Sequence, residues 1–351
     1  MKVLTLFLGI PILYIVIPYL VNIVTQYPGQ VVHQSGVVLV TGASSGIGLS
    51  AAVALKKKGY FVIGGVRKEK DAVTLRKTYG LQTVILDVTK EVDIERSKQE
   101  IQQICEEKSL PFVGLVNNAG VSRDLPVELQ PRETIRFVYG VNTFGVMDMT
   151  REYLPLLRKS KGRIINIGSV AGLTALPGAA TYHGTKHALE AISDCVRREM
   201  YPHQVSVSIV EPAYVTSKIF GKSMNENDPS SKLTQEEFDL YRHVVGGRAE
   251  HIKKAIASAS PTTVTDDAIT HAMTSPYPQT RYIVANVVGI PAKIIVPIFN
   301  YMPDRVADIV IYLRTKKLPI FLLIGLAYSG IFLCLWMVYN FLKSLDRHLY
   351  F

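Results

Sequence analysis

A buried strand runs directly into a glycine-rich turn at residues 37–48 of this chain, and few folds accommodate that junction. Val37 to Val40 form an uninterrupted apolar run, typical of a strand covered on both faces. Glycines in such a turn let backbone amides and a helix N-terminus approach a pyrophosphate. The sequence predicts a dinucleotide site here, against the alternative of a glycine turn without a ligand. The predicted contacts are Gly42, Ser44, Ser45, Gly46, Ile47 and Gly48.

Strand-like and helix-like stretches then alternate along the chain. Helical patterns cover about 90–107 and 132–159. The strand-like runs are 61–63, 83–86, 112–116, 163–167, 205–210 and 281–284. This alternation predicts an α/β fold with a Rossmann-type, doubly wound parallel sheet and helices on both faces. In such sheets ligands bind beyond the carboxyl ends of the strands.

Tyr182 and Lys186 stand four residues apart at the start of an amphipathic helical pattern. Residues at this spacing share a helix face. A nearby cation lowers the pKa of a tyrosine from its usual value of about 10. The pair could therefore act as a general acid/base on an alcohol oxygen. The same spacing is common by chance as an interfacial tyrosine and a solvated lysine, so the surrounding motifs decide its meaning.

Two long uncharged segments raise the hydrophobic content of the 351-residue chain to 48%. Residues 3–24 and 318–342 carry no charge, and each could cross a hydrocarbon core. We interpret residues 1–24 as a membrane anchor rather than a cleaved signal peptide. We interpret 318–342 as a second membrane segment rather than a buried core helix. The chain is therefore expected to contact membrane lipid.

The net charge of +10 has two candidate partners, nucleic acid and a bilayer surface. No long Lys/Arg run or aromatic-basic stripe supports nucleic acid, so we expect no nucleic-acid partner. A bilayer fits better, because cations cluster before the second apolar segment. They are Lys293, Arg305, Arg314, Lys316 and Lys317. The three cysteines show neither metal-ligand spacing nor a disulfide framework, so no metal site is predicted.

Charges flanking the two apolar segments disagree about membrane orientation. Lys2 points to a lumenal catalytic domain, whereas the cations at 305–317 outweigh Lys343 and Arg347 and point to the cytosol. No Asn-x-Ser/Thr acceptor occurs, which favours the cytosol. We therefore predict a cytosol-facing domain on the endoplasmic reticulum.

The predicted organisation has five parts. Residues 25–35 form a linker, 36–287 the Rossmann domain, and 288–317 an apolar and basic membrane-proximal region, between the anchor and the C-terminal segment. Residues 213–278 interrupt the strand–helix alternation with a polar, turn-rich stretch followed by a helical pattern at 234–257. This insertion is expected to form a lid over the substrate.

Five motifs in order resemble the short-chain dehydrogenase/reductase family over about residues 36–313. They are Thr41–Gly48, Asn117-Asn118-Ala119-Gly120, Asn142, Ser169 and Tyr182-x-x-x-Lys186. Finer motifs resemble the retinol and 17β-hydroxysteroid dehydrogenase branch, which includes hydroxybutyrate dehydrogenases. They are 86–89, 114–120, 211–214 and 278–282. Ala213 departs from the glycine that the family usually has there.

The resemblance implies a role for each motif. Tyr182 would donate or accept the proton, Lys186 would lower its pKa and hold the nicotinamide ribose, and Ser169 would bind the substrate oxygen. Asn142 would order a water relay to Lys186. The remaining implied cofactor contacts are Asp87, Asn118, Ala119, Gly120, Pro212, Val215 and Thr216. The resemblance also makes a homodimer a candidate assembly.

The end of the second strand predicts NADP(H) over NAD(H). NAD-selective sites carry a carboxylate there for the ribose 2′-hydroxyl. Here Val66 takes that place and Arg67 follows, a guanidinium suited to a 2′-phosphate. The alternative is a solvated cation at a strand end.

The sequence thus predicts a membrane-bound oxidoreductase that transfers a hydride between NADP(H) and a hydrophobic alcohol or ketone, such as a retinoid, a steroid or another lipid. One alternative is an enzyme of a small, hydroxybutyrate-like hydroxy acid. Another is a catalytically silent, nucleotide-binding membrane scaffold.

Overall fold

The computed structural model describes residues 29–216, 229–287 and 289–315. The predicted membrane segments at 3–24 and 318–342, and residues 217–228 of the predicted lid, lie outside this part of the chain. Within the described ranges, no helix combines the length and the apolar character needed to cross a bilayer.

Seven strands form one sheet in which every neighbouring pair is parallel. The strands are β1 Val37–Thr41, β2 Phe61–Val66, β3 Gln82–Ile85, β4 Phe112–Asn117, β5 Arg163–Ile167, β6 Ser206–Pro212 and β7 Arg281–Val284. Their order is β3-β2-β1-β4-β5-β6-β7, which confirms the predicted Rossmann-type fold. The strand order reverses between β1 and β4, and this switch opens a crevice at the carboxyl edge.

Helices cover both faces of the sheet. The α-helices of the described residues are α1 Gly46–Lys57, α2 Glu69–Tyr79, α3 Glu91–Lys108, α4 Arg132–Tyr139, α5 Gly145–Ser160, α6 Ala180–Met200, α7 Gln235–Leu240, α8 Arg242–Val245, α9 Arg248–Ala257, α10 Thr263–Thr274, α11 Ala292–Asn300 and α12 Asp304–Thr315.

The strands bury alternate side chains on the two faces. Val38 and Val40 of β1 join the core under α1, α2 and α10. Val37 and Leu39 join the core under α3, α5 and α6. This alternation with period two explains why the strands read as continuous apolar runs.

Two helical predictions differ from the structure in detail. The helix expected at 132–159 is interrupted by one π turn, Gly140–Phe144, between α4 and α5. The pattern at 234–257 contains three short helices, α7 to α9. Gly246 and Gly247 separate the last two, in keeping with the low helix propensity of glycine.

The segment after β7 returns to the carboxyl edge of the sheet. A small hairpin, β8 Asn286–Val287 and β9 Ile290–Pro291, leads into α11. Ala292, Ile295 and Val296 of α11 are buried, and residues of the loop after β5 pack against them. The C-terminal helices therefore lie beside the predicted site.

Candidate active site

The turn after β1 is shaped to lie close to a ligand backbone. Gly42 and Gly46 have φ angles of +66° and +59°, which side chains rarely adopt. A Cβ on Gly48 would lie 2.3 Å from Asn118 Nδ2 and 2.6 Å from the Gly42 oxygen. The N-cap Ser45 makes no side-chain capping bond, and no acidic residue stands in the first turn of α1. This glycine cradle fits the pyrophosphate of a dinucleotide.

Thr41 and Asn118 tie the ends of β1 and β4 together across the switch point. The Asn118 side chain donates to the carbonyls of Thr41 and Gly42, at 2.9 and 3.2 Å. Thr41 Oγ1 accepts from the backbone N–H groups of Asn118 and Ala119, both at 3.0 Å. Asn118 therefore shapes the cradle through the protein, while Asn118, Ala119 and Gly120 also line the cleft.

The ends of β2 and β3 form one end of this cleft. Arg67 is exposed, and it lines the cleft together with Lys68 and Lys70. Within the described ranges Arg67 makes no ion pair. Asp87 also lines the cleft, and its Oδ1 accepts from Thr89 Oγ1 at 2.7 Å. A free guanidinium beside an adenine-ribose position suits an added phosphate.

Asn142 occupies the π turn between α4 and α5 and is 1% exposed. Its Oδ1 accepts from Val121 N at 2.9 Å, and its Nδ2 donates to Val121 O at 2.8 Å. Nδ2 also lies 3.1 Å from Thr185 Oγ1. Single π turns often mark functional sites, because they reorient one side chain within a helix.

Ser169 and Tyr182 meet at the carboxyl end of β5. Ser169 caps the short helical turn Val170–Gly172, where its Oγ accepts from Ala171 N at 3.1 Å. A hydrogen bond from Ser169 lowers the pKa of Tyr182. The backbone N–H of Tyr182 donates to Asp124 Oδ1 at 3.1 Å, which fixes the start of α6.

The predicted lowering of the Tyr182 pKa by Lys186 stays a prediction, because other effects set the pKa of Tyr182 in the protein alone. Burial is the dominant effect, and it raises the pKa of Tyr182 to about 12, with Asp124 adding to the rise. Burial also lowers the pKa of Lys186 to about 8. Lys186 Nζ donates to Ile167 O at 2.7 Å and lies 5.7 Å from the Tyr182 ring centroid. Burial thus shifts the pKa of each group in the direction of its neutral form.

The end of β6 holds the last predicted cofactor residues. Pro212 and Val215 line the cleft. Thr216 is exposed, and its N–H donates to Ser260 O at 2.9 Å. Three predicted residues, Gly48, Asn142 and Thr216, do not line the cleft themselves. The other predicted residues all do, so the sheet brings widely separated motifs to one edge.

The cleft has a volume of about 1950 Å³ and extends from the end of β2 to the C-terminal helices. Its far wall contains Ile295, Val296, Phe299, Val310 and Ile311 of α11 and α12. The sequence identified this region only as apolar and basic. Its contribution to the cleft depends on the return of the chain after β7.

Comparison with known proteins agrees with this geometry. A family model described as short chain dehydrogenase matches residues 36–228. Bovine 17-beta-hydroxysteroid dehydrogenase type 6 is 35% identical, covering 82% of this chain and 90% of its own. Human retinol dehydrogenase 16 is 34% identical, and the match covers 78% of this chain and 87% of the human enzyme. Bovine mitochondrial D-beta-hydroxybutyrate dehydrogenase is 34% identical, and the match covers 71% of this chain and 76% of the bovine enzyme.

The chain belongs to the short-chain dehydrogenase/reductase family. It is an NAD(P)-dependent dehydrogenase/reductase that acts on hydroxyl groups. A crystal structure of a short-chain dehydrogenase from Burkholderia cenocepacia J2315 in complex with NADP is 25% identical, with a TM-score of 0.54 over 71% of this chain and 87% of that one. The family assignment argues against a catalytically silent scaffold.

Three residues of this short-chain dehydrogenase site were missed at the sequence level. Asp124, Thr41 and Thr185 all bind backbone groups of site elements. Thr41 and Thr185 lie inside the sequence motifs, so their hydroxyl groups could have been predicted to bind nearby backbone groups. Asp124 has no local signal, because its partner Tyr182 is 58 residues away.

Proposed function

We propose that this protein is a membrane-bound oxidoreductase that interconverts hydrophobic alcohols and ketones with NADP(H). One observation carries the proposal: Ser169, Tyr182 and Lys186 line the same cleft as the apolar side chains of α11 and α12. The chain continues from α12 to the uncharged segment 318–342. A substrate dissolved in a bilayer would thus meet an apolar wall leading to the proton-transfer residues.

The glycine cradle and Arg67 are the residues proposed to hold the cofactor. Gly42 and Gly46 give close backbone approach to the pyrophosphate, and Arg67 would bind a ribose 2′-phosphate. Bound NADP(H) supplies or accepts the hydride, and its oxidised nicotinamide brings a positive charge into the pocket.

The residues of this chain would manage the proton. Ser169 would donate a hydrogen bond to the substrate oxygen, and Tyr182 would give that oxygen a proton or take one from it. The ammonium of Lys186 would stabilise the phenolate form of Tyr182 against the cost of burial. Asn142 would support this geometry by holding the loop after β4, and its predicted water relay to Lys186 remains part of the proposal.

The organisation of the chain is part of the same proposal. Residues 1–24 and 318–342 would anchor the Rossmann domain, 36–287, to the membrane through the linker 25–35 and the basic region 288–317. Residues 213–278 would act as the lid. Phe238 and Arg242 from this segment line the cleft.

The test uses the full-length protein in detergent micelles. NADPH oxidation would be followed with retinal, a 17-ketosteroid and a long-chain aliphatic ketone, and with acetoacetate as the small hydroxy-acid counterpart. We expect kcat/KM for at least one of these apolar carbonyl compounds to exceed that for acetoacetate by about a hundredfold. A preference for acetoacetate would overturn the assignment of substrate class.

A second candidate, a small hydroxy acid, is supported by Arg123. This half-buried guanidinium lines the cleft and donates to Ser122 O at 2.8 Å. Within the described ranges it has no ion pair, so it could bind a substrate carboxylate. Arg123→Gln would then raise KM for acetoacetate about tenfold or more without changing KM for an uncharged ketone. If the KM for acetoacetate is the same in Arg123→Gln as in the wild type, this candidate is ruled out.

A further inference from the structure

A cluster of charged residues lies behind the catalytic helix α6, away from the cleft. Glu190 and Asp194 stand one turn apart on α6, Glu211 lies on β6, and Arg281 begins β7. Arg281 Nε is 3.1 Å from Glu190 Oε2 and 4.0 Å from Glu211 Oε1. Arg281 Nη2 is 3.1 Å from Asp194 Oδ1. One guanidinium therefore serves three carboxyl groups.

The two glutamates are the buried members of this cluster. Glu211 is 0% exposed and Glu190 is 8% exposed. Glu190 Oε1 and both carboxyl oxygens of Glu211 are buried and receive no hydrogen bond from the N–H and hydroxyl groups of the described chain. Two adjacent buried carboxylates with a single shared cation would repel each other strongly. A proton between them removes this repulsion and gives the orphaned oxygens a partner.

The geometry indicates which glutamate carries the proton. Glu190 is closer to Arg281 and less deeply buried, so it is the better site for the negative charge. Glu211 is fully buried and farther from the guanidinium, so it is the better site for the proton. As a carboxylic acid, Glu211 would have an O–H group to donate to Glu190.

Glu190 connects this pair to the catalytic lysine. Glu190 stands four residues after Lys186 on α6, so the two share a helix face. The loop after β5 packs closely against this part of α6, because a Cβ on Gly172 would lie 3.2 Å from Glu190 Cγ and 2.9 Å from Lys186 O. The same loop carries Ser169.

We propose that Glu190 and Glu211 form a proton-sharing pair, with the proton on Glu211, and that this pair keeps Glu190 ionised as the anion that holds Lys186 in its ammonium form. Glu190 and Glu211 are positioning residues, since neither lines the cleft. The catalytic consequence rests on the proposed function of Lys186, whereas the shared proton does not.

The pKa shift of Glu211 and the effect of Glu190 on the pKa of Lys186 agree with this arrangement. Burial, and then Glu190, raise the pKa of Glu211 to about 9, while Arg281 opposes the rise. Burial raises the pKa of Glu190, the Glu211 hydrogen bond and Arg281 oppose this rise, and Asp194 adds to it. Glu190 raises the pKa of Lys186 against the effect of burial.

The first test measures stability against pH and needs no turnover. The folded protein keeps the Glu211 proton up to about pH 9, whereas the unfolded chain releases it near the ordinary glutamate value. This stabilisation is therefore complete at acidic pH and is lost as pH rises toward 9. The unfolding equilibrium constant of the wild type, relative to that of Glu211→Gln, should rise about tenfold per pH unit between pH 5 and 9. If the stability of the wild type and that of Glu211→Gln change in parallel with pH, the two glutamates do not share a proton.

Infrared spectroscopy of the full-length wild type covers the case in which Glu211→Gln fails to fold. A carboxylic C=O band should persist at neutral pH and disappear as pH rises through about 9. If every such band is lost by pH 7, the proposal is wrong. A folded Glu211→Gln protein should lack this band.

The second test is the pH profile of kcat/KM. Glu190→Gln removes the anion facing Lys186, so the alkaline limb should move to lower pH by about one unit. Asp194→Asn is the matched control, because Asp194 also pairs with Arg281 but lies one helix turn farther from Lys186 than Glu190 does. The alkaline limb of this variant should stay at the wild-type pH. If the alkaline limb does not shift in Glu190→Gln, or shifts equally in both variants, Glu190 does not hold Lys186 in its ammonium form. Absence of turnover in the wild type would contradict the proposed function and leave the stability and infrared tests intact.

Discussion

The side chain of Asn142 binds both backbone groups of Val121, with Oδ1 2.9 Å from Val121 N and Nδ2 2.8 Å from Val121 O. Its Nδ2 also lies 3.1 Å from Thr185 Oγ1 on the catalytic helix. One amide in the π turn therefore connects the loop after β4 with the helix that carries Tyr182. The position of that loop, and of Asp124 within it, depends on this amide.

Asn142→Ala should destabilise the protein by about 1–3 kcal/mol, because it removes the buried Asn142 amide and leaves the half-buried N–H of Val121 without this partner. Chemical unfolding followed by circular dichroism measures this. The control Gln103→Ala removes an exposed amide that binds the Glu107 side chain, and it should change stability by less than about 0.5 kcal/mol. Equal stability of the two variants would show that Asn142 does not hold the loop.

Gly48→Ala should collapse the cofactor cradle, since the new Cβ would lie 2.3 Å from Asn118 Nδ2 and 2.6 Å from the Gly42 oxygen. We expect a loss of about 1–3 kcal/mol of stability together with weaker dinucleotide binding. Gly247→Ala is the control, because no atom of the described residues lies within 4 Å of its added Cβ. Thermal unfolding and fluorescence titration with NADPH measure both effects. Wild-type NADPH affinity in Gly48→Ala would contradict the assigned cradle.

The sequence was sufficient to predict the parallel sheet and the edge at which the site lies. Strands buried on both faces have sequences that are continuous apolar runs, Asn118 and Ser169 each follow such a run closely, and Tyr182 lies in the first turn of the next amphipathic helix. These are local signals. Residues that act within one strand–turn–helix unit could therefore be assigned without the structure.

Features that depend on contacts between distant segments could not be predicted. The π turn at Asn142 continues the helical pattern on either side, so the spacing of apolar residues does not reveal it. The raised pKa of Tyr182 results from burial, which depends on packing of the whole site. Glu190 and Glu211 meet only because α6 and β6 pack together. By contrast, the adjacent glycines Gly246 and Gly247 are a local sequence pattern that predicts the break before α9.

Arg67→Ala should raise KM for NADPH about tenfold or more and leave KM for NADH within about twofold, because only NADPH carries the 2′-phosphate. Lys77→Ala is the control, an exposed cation in the last turn of α2. Steady-state kinetics with each cofactor measure the effect. A wild-type preference for NADH would refute the proposed cofactor choice.

A cytosol-facing domain should be open to protease added outside sealed microsomes. We expect digestion of residues 36–287 without detergent, since the cations at 305–317 favour the cytosolic side. A lumenal marker protein in the same vesicles controls for their integrity. Protection of the domain until detergent is added would place it in the lumen.

Turnover by Tyr182→Phe tests the account most directly. The phenol is the assigned proton-transfer group, and phenylalanine removes only its hydroxyl. We predict that kcat with the best apolar ketone and NADPH falls by about 10²–10⁴, while the Kd for NADPH stays within about threefold. Tyr277→Phe, which alters an exposed tyrosine outside the cleft, should keep wild-type activity. A kcat for Tyr182→Phe within about tenfold of the wild-type value would contradict the assignment.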